Sequence, residues 1–129
     1  MKIAVLITRS LLGLVFLVFG INFFLHFIPN QAMPTPASDF AGSLIKTGYI
    51  FPCIKVIEIT CGLFLLINKY TAFFLLVIFP ITLNIFLFHA FLAPSGLAMA
   101  GPMLLINLFL GYAYRDYYSG LFTASPVAS

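Results

Sequence analysis

The chain has 129 residues, of which 63% are hydrophobic and 7% charged, against about 25% charged in an ordinary soluble domain. A soluble fold of this length has too small an interior for that apolar load, so the expected solvent is a lipid bilayer. Six basic and three acidic residues leave a formal charge of +3 with no basic run, which argues against nucleic acid as a partner.

The first apolar run, 3–28, is interrupted by Arg9. It is longer than a signal-peptide core and no A-x-A site follows it, so a retained span is expected. Gly13 and Gly20 share its Arg9 face and read as helix-packing positions. Asn22 and His26, one turn apart, form a polar face near its far end. Arg9 has three candidate fates: pairing with Asp116, reaching Glu58, or snorkelling to the near surface. The stretch PNQAMPTPASDF, 29–40, holds three prolines and is expected to be a polar loop.

The second span, 49–67, tolerates Pro52 in its first turn. It carries Lys55 and Glu58, an i,i+3 pair able to form an ion bridge, and the two cysteines, Cys53 and Cys61. Eight helical residues set those thiols ~12 Å apart along the axis, which excludes a disulfide between them. There is no C-x-x-C, so thiol–disulfide chemistry is not expected. Asn68 and Lys69 make a tight turn into the third span, 71–92, where Pro80 is a candidate kink. Asn84 and His89 lie on that span but ~140° apart, so an ideal helix does not aim both at one site. The loop APSG, 93–96, leads to the fourth span, 97–118. There Met103, Asn107, Gly111, Tyr114 and Tyr118 form one stripe. The expected fold is an all-α, integral membrane four-helix bundle in a single domain. Runs such as TAFFLLVIF do not alternate as barrel strands would.

Lysine and arginine bias sets the expected orientation. With both termini inside, Lys2, Arg9, Lys69 and Arg115 are cytoplasmic and Lys46 alone lies outside, beside Asp39. Glu58 then lies ~14 Å and Lys55 ~9 Å below the outer membrane end, at about 1.5 Å per residue. Asn84 lies ~12 Å, His89 ~5 Å, Asn107 ~15 Å, Asn22 ~9 Å and His26 ~3 Å below it. Every span thereby places polar side chains in the outer half. A charge at a helix centre costs about 2.5–3.5 kcal/mol, so two readings stand side by side. The polar residues are interhelical glue, at about 0.6 kcal/mol per contact, or they form a ligand or proton-relay site. His26, His89 and Glu58 match no metal-ligand spacing, and no metal is expected.

NFFLHFIP at 22–29, TGYIFPCIKVIEITCGLFLLI at 47–67, NIFLFHAFLAPSGL at 84–97 and YAYRDYYSGLF at 112–122 together resemble a DoxX-like membrane protein. The resemblance covers nearly the whole chain. Its most specific pieces are the K-x-x-E of the second span and the N-x-x-x-x-H followed by P-S-G. It implies a compact four-helix bundle of the bacterial inner membrane. The family takes its name from a subunit of a thiosulfate:quinone oxidoreductase, and some relatives are tied to redox or thiol-stress membrane complexes. The resemblance implies an intramembrane polar cluster at Lys55, Glu58, Asn84 and His89 and supplies no catalytic role for them. The fold is also similar to that of four-helix quinone-reducing thiol enzymes, from which this chain departs by lacking their C-x-x-C.

The leading functional expectation is an accessory subunit of a redox or envelope complex. Its outer-half cavity would bind a quinone-like or other amphipathic molecule. Glu58 and His89 would exchange protons or bind a ligand carbonyl or hydroxyl, Lys55 would keep Glu58 ionised or contact the ligand directly, and Asn84 and Asn107 would orient the ligand. The alternative is a non-enzymatic scaffold or homo-oligomer that packs on other membrane subunits through the Gly13/Gly20 face or through 29–48. A proton-coupled carrier comes third; it would need to dimerise, and no inverted repeat supports it.

Overall fold

The computed structural model describes residues 1–29 and 32–129 and is helical with no strand among them. Its elements are α1 (Lys2–Leu25), α2 (Thr35–Lys46), α3 (Ile50–Ile67), α4 (Thr71–Phe91) and α5 (Leu97–Ala113). Short 3-10 helices follow α4 at Pro94–Gly96 and α5 at Arg115–Phe122. α1, α3, α4 and α5 with its preceding turn are long and apolar enough to cross a membrane, with mean hydropathies of 2.3, 2.1, 2.3 and 1.5. At most 28% of any span's most apolar stretch is buried within the chain. The rest faces outward, which suits a bilayer, where a helix satisfies its own backbone polar groups. The protein is an all-α, multi-pass four-helix bundle.

α1 packs on α3, α3 on α4, α4 on α5, and α5 returns to α1. This up-down-up-down ring is what short connections between antiparallel spans produce. It leaves the start of α1 and the end of α5 at one end, and α2 at the other. Inside the ring lie Leu12, Phe16, Cys61, Leu65, Leu75, Ile78, Met103 and Leu110.

The α1–α3 seam is the closest. A Cβ at Gly62 would lie 2.6 Å from the Gly13 carbonyl oxygen and 2.7 Å from the Leu17 nitrogen. A Cβ at Gly13 would in turn lie 2.8 Å from the Gly62 carbonyl. The two backbones therefore touch, which is the route to tight association where lipid supplies no hydrophobic drive between helices. Gly20 repeats the device one step along, over Ile59 and the Lys55 carbonyl. The Gly13/Gly20 face is thus covered by the chain's own α3. This corrects the expectation that it serves as a docking face for partner subunits.

The helix ends explain the span limits. α1 stops at Leu25 rather than residue 28, because His26 adopts a left-handed conformation and its N–H donates to the Asn22 carbonyl at 2.7 Å. α3 closes at Asn68, also left-handed, with the Lys69 N–H donating to the Phe64 carbonyl at 3.1 Å. Tyr70 is left-handed as well, an uncommon state for a bulky residue. Its ring meets Phe64 edge-on, and Phe64 stacks on Phe74 at 4.6 Å, which fastens the corner. The fourth span ends at Ala113, not 118; the chain tightens there into the 3-10 segment.

The expected loop at 29–40 is also corrected. Residues 35–46 form α2, with Pro34 as its N-cap and Pro36 in its first turn. Proline is tolerated there because first-turn N–H groups have no intrahelical acceptor. Asn30 and Gln31, part of that expected loop, lie outside the described residues. At twelve residues α2 is ~18 Å long, too short to span a hydrocarbon core of about 30 Å. It rests on α3 and meets α4 through Phe40 and Phe88, whose rings lie 5.9 Å apart.

Candidate functional site: a polar layer within the bundle

The centre of α3 carries the site's charged pair. Lys55 Nζ lies 3.0 Å from Glu58 Oε2, one helical turn on, with side-chain exposures of 20% and 3%. The carboxylate is fully inside the bundle while the ammonium keeps an edge outward. Beside the pair α1 passes close at Gly20, where an added Cβ would lie 3.3 Å from the Lys55 carbonyl oxygen. The pair is neutral as a unit, and it is the one ion pair among the described residues.

Two polar side chains from other helices join this level. Glu58 is ~12 Å from the α2-side end of its helix, Thr82 ~14 Å and Asn107 ~15 Å, counted at about 1.5 Å per residue. Thr82 is buried and donates back to the Ile78 carbonyl at 3.1 Å, which satisfies its hydroxyl within α4. Asn107 is 3% exposed, and its Oδ1 has no hydrogen-bond partner among the described residues. An orphaned buried acceptor costs roughly 1–3 kcal/mol. Asn107 follows Met103 by one turn, about 40° round the helix. Met103, with Leu12, Val15 and Ile106, lines an apolar cavity of about 440 Å³ along the α1–α5 seam.

No family model, curated protein or solved structure matches this chain. The site therefore stands on its own geometry.

That geometry divides the expected cluster. Lys55 and Glu58 are in direct contact, and Asn107 shares their depth. Asn84 does not join them: it is exposed on the outer side of α4. Leu75, Ile78 and Thr82 hold the core-facing stripe, and two residues further on the helix has turned ~200°. His89 is tied at the end of α4, its Nδ1 2.8 Å from the Ile85 carbonyl. Its ring lies against Gly96, where any Cβ would overlap it, so it fastens the α4–α5 corner. Asn22 is a cap, its Oδ1 accepting the Ile28 N–H at 2.7 Å. His26 is exposed at the same cap. The shared pocket expected for all these residues is thus replaced by a smaller layer of Lys55, Glu58, Thr82 and Asn107.

Arg9 meets none of its three expected fates. It is 7% exposed and donates from Nη1 to the carbonyls of Leu65 and Leu66, the latter at 3.2 Å. These are among the last carbonyls of α3, which lack acceptor duty inside their own helix. The guanidinium also sits at the negative end of that helix dipole. Thr82 escaped the sequence reading, because α4 is apolar on every side and nothing in its pattern marks the Leu75, Ile78 and Thr82 stripe as the buried one.

Proposed function

We propose that the chain is a DoxX-like protein of the bacterial inner membrane, N-in and C-in, serving as an accessory subunit of a redox or envelope complex. Its polar layer receives the head of a quinone-like or other amphipathic ligand arriving through the α1–α5 seam. The observation that carries this reading is Asn107: a buried amide with an open acceptor, one turn from the wall of an apolar cavity. A carboxamide can accept from a ligand hydroxyl through Oδ1 and donate to a ligand carbonyl through Nδ2. Lys55 and Glu58 supply charge at the same level without adding net charge to the bundle.

The test is extraction of bound small molecules from wild type, Asn107→Leu and Lys55→Met/Glu58→Met. A quinone-type molecule in the wild type that is lost from Asn107→Leu supports the reading. The same lipids and no quinone in all three end it.

One observation favours the scaffold reading as the alternative. Asn84 presents an amide on the outer face of a membrane span, where a helix of another subunit could hydrogen-bond it. A stoichiometric partner recovered in mild detergent with wild type but not with Asn84→Leu would favour scaffolding.

A further inference from the structure

A second cavity, of about 350 Å³, lies where α1 begins and α5 ends. That is within the range of about 300–1,000 Å³ typical of small-molecule sites. Lys2, Arg9, Asn68 and Tyr114 bring polar atoms to it, with Val5 and Leu6 as apolar wall. We propose that this cavity binds the phosphate group of an anionic lipid headgroup.

Arg9 carries the inference. It is more than nine-tenths buried, yet it has no acidic partner among the described residues. Of the three acids in the chain, Glu58 is engaged by Lys55 and Asp39 lies on α2 at the opposite end. Asp116 lies at the same end as Arg9, but it is exposed and forms no ion pair. The α3 carbonyls occupy Nη1 alone. Nε and Nη2 make no hydrogen bond among the described residues, and Arg9 lines the cavity. A helix terminus offers about half a negative charge, so a full guanidinium charge is left partly uncompensated. Carboxylate and phosphate are the anions that such a fork of N–H donors recognises, and at a membrane surface the phosphate of an anionic lipid headgroup is the one at hand.

The other polar groups suit the same ligand. Asn68 Oδ1 accepts the Thr71 hydroxyl at 2.7 Å, which leaves its Nδ2 as the free, donating half. The Tyr114 hydroxyl has no hydrogen-bond partner among the described residues and can donate. Lys2 adds a second positive charge at the rim. No carboxylate lines the cavity.

A lipid fits better than free phosphate because the seam continues. The apolar cavity of Leu11, Leu12 and Val15 begins one turn beyond Arg9 on α1. An acyl chain attached to a phosphate at Arg9 would follow α1 past the exposed Leu6 and Leu11 toward that cavity. This site is independent of the Asn107 reading, and its variants leave Asn107 intact.

The experiment is native mass spectrometry of the full chain in detergent with added phosphatidylglycerol or phosphatidylcholine. Wild type should retain phosphatidylglycerol in preference to phosphatidylcholine. Each cation removed should reduce that retention about fivefold, read in Lys2→Gln and Arg9→Gln. Arg9→Gln also uncaps α3, so Lys2→Gln, at an exposed position, decides the matter if the other variant does not fold. Equal retention of the two lipids, unchanged in Lys2→Gln, overturns the proposal. Inorganic phosphate that raises the thermal midpoint as much as phosphatidylglycerol does would overturn the lipid assignment.

Discussion

α1 has two seams, and they are built on opposite plans. Toward α3 it presents Gly13 and Gly20, and the backbones meet with no room for a methyl group. Toward α5 it presents Leu11, Leu12 and Val15, and the seam holds cavities at both levels. The orphaned acceptor of Asn107 and the open donors of Arg9 lie beside the second seam. The closed seam holds the two helices in contact, and the open one leaves polar groups unengaged beside its cavities.

The sharpest way to break this contrast is to add bulk to each seam. Gly62→Leu drives a side chain into the α1 backbone, where neither helix has a flexible atom to yield. Overpacking in ordinary cores costs about 1–3 kcal/mol and occasionally more; this site should exceed the upper figure and abolish monodisperse protein. Ala98→Leu places comparable bulk beside the α1–α5 cavity and should change stability by less than about 1 kcal/mol. Comparable losses, measured by unfolding in denaturing detergent, would mean that the two seams are not different in kind.

Next in size is the ion pair beneath Gly20. Lys55→Met leaves Glu58 buried without its partner, and breaking a buried pair costs about 3–5 kcal/mol. The double variant Lys55→Met/Glu58→Met removes both charges and should recover most of that loss. If it recovers nothing, the pair is contributing packing rather than compensated charge.

Asn107 gives a smaller effect of opposite sign. Asn107→Leu replaces an unsatisfied amide by an apolar side chain of similar size. Stability should rise by about 1 kcal/mol, while any ligand of the polar layer is lost. A fall in stability instead would show that Asn107 is satisfied by protein groups and is not kept open for a ligand.

The spans were legible because length and hydropathy are all that crossing a membrane requires. Lys55 and Glu58 were legible because i,i+3 spacing on one helix fixes their contact whatever the neighbours do. Asn84 was not. α4 is apolar all round, so no stripe distinguishes its core face from its lipid face, and the choice was made by how it packs on α3 and α5. Arg9 failed for a different reason: its partners are backbone carbonyls, which leave no mark in a pattern of side chains. α2 was hidden by its prolines, which break a helix at its centre and begin one at its first turn.

The smallest effect belongs to the segment that follows α5. The Tyr118 hydroxyl donates to the Ala72 carbonyl at 2.6 Å and ties the Arg115–Phe122 helix to the start of α4. Tyr118→Phe should cost about 1 kcal/mol near neutral pH, the usual worth of one such bond. Burial first, and the neighbouring Tyr114 second, raise the Tyr118 phenol above its ordinary value of 10.0. The folded state thus holds this proton more tightly than the unfolded chain does. Its contribution is complete below pH of about 10 and disappears as pH rises through the elevated folded value. The wild type's stability margin over Tyr118→Phe should therefore stay constant through neutral pH and shrink only in strong alkali. A margin that shrinks below pH 9 would mean that another group holds this corner, and that the α5 side of the bundle is less open than its cavities suggest.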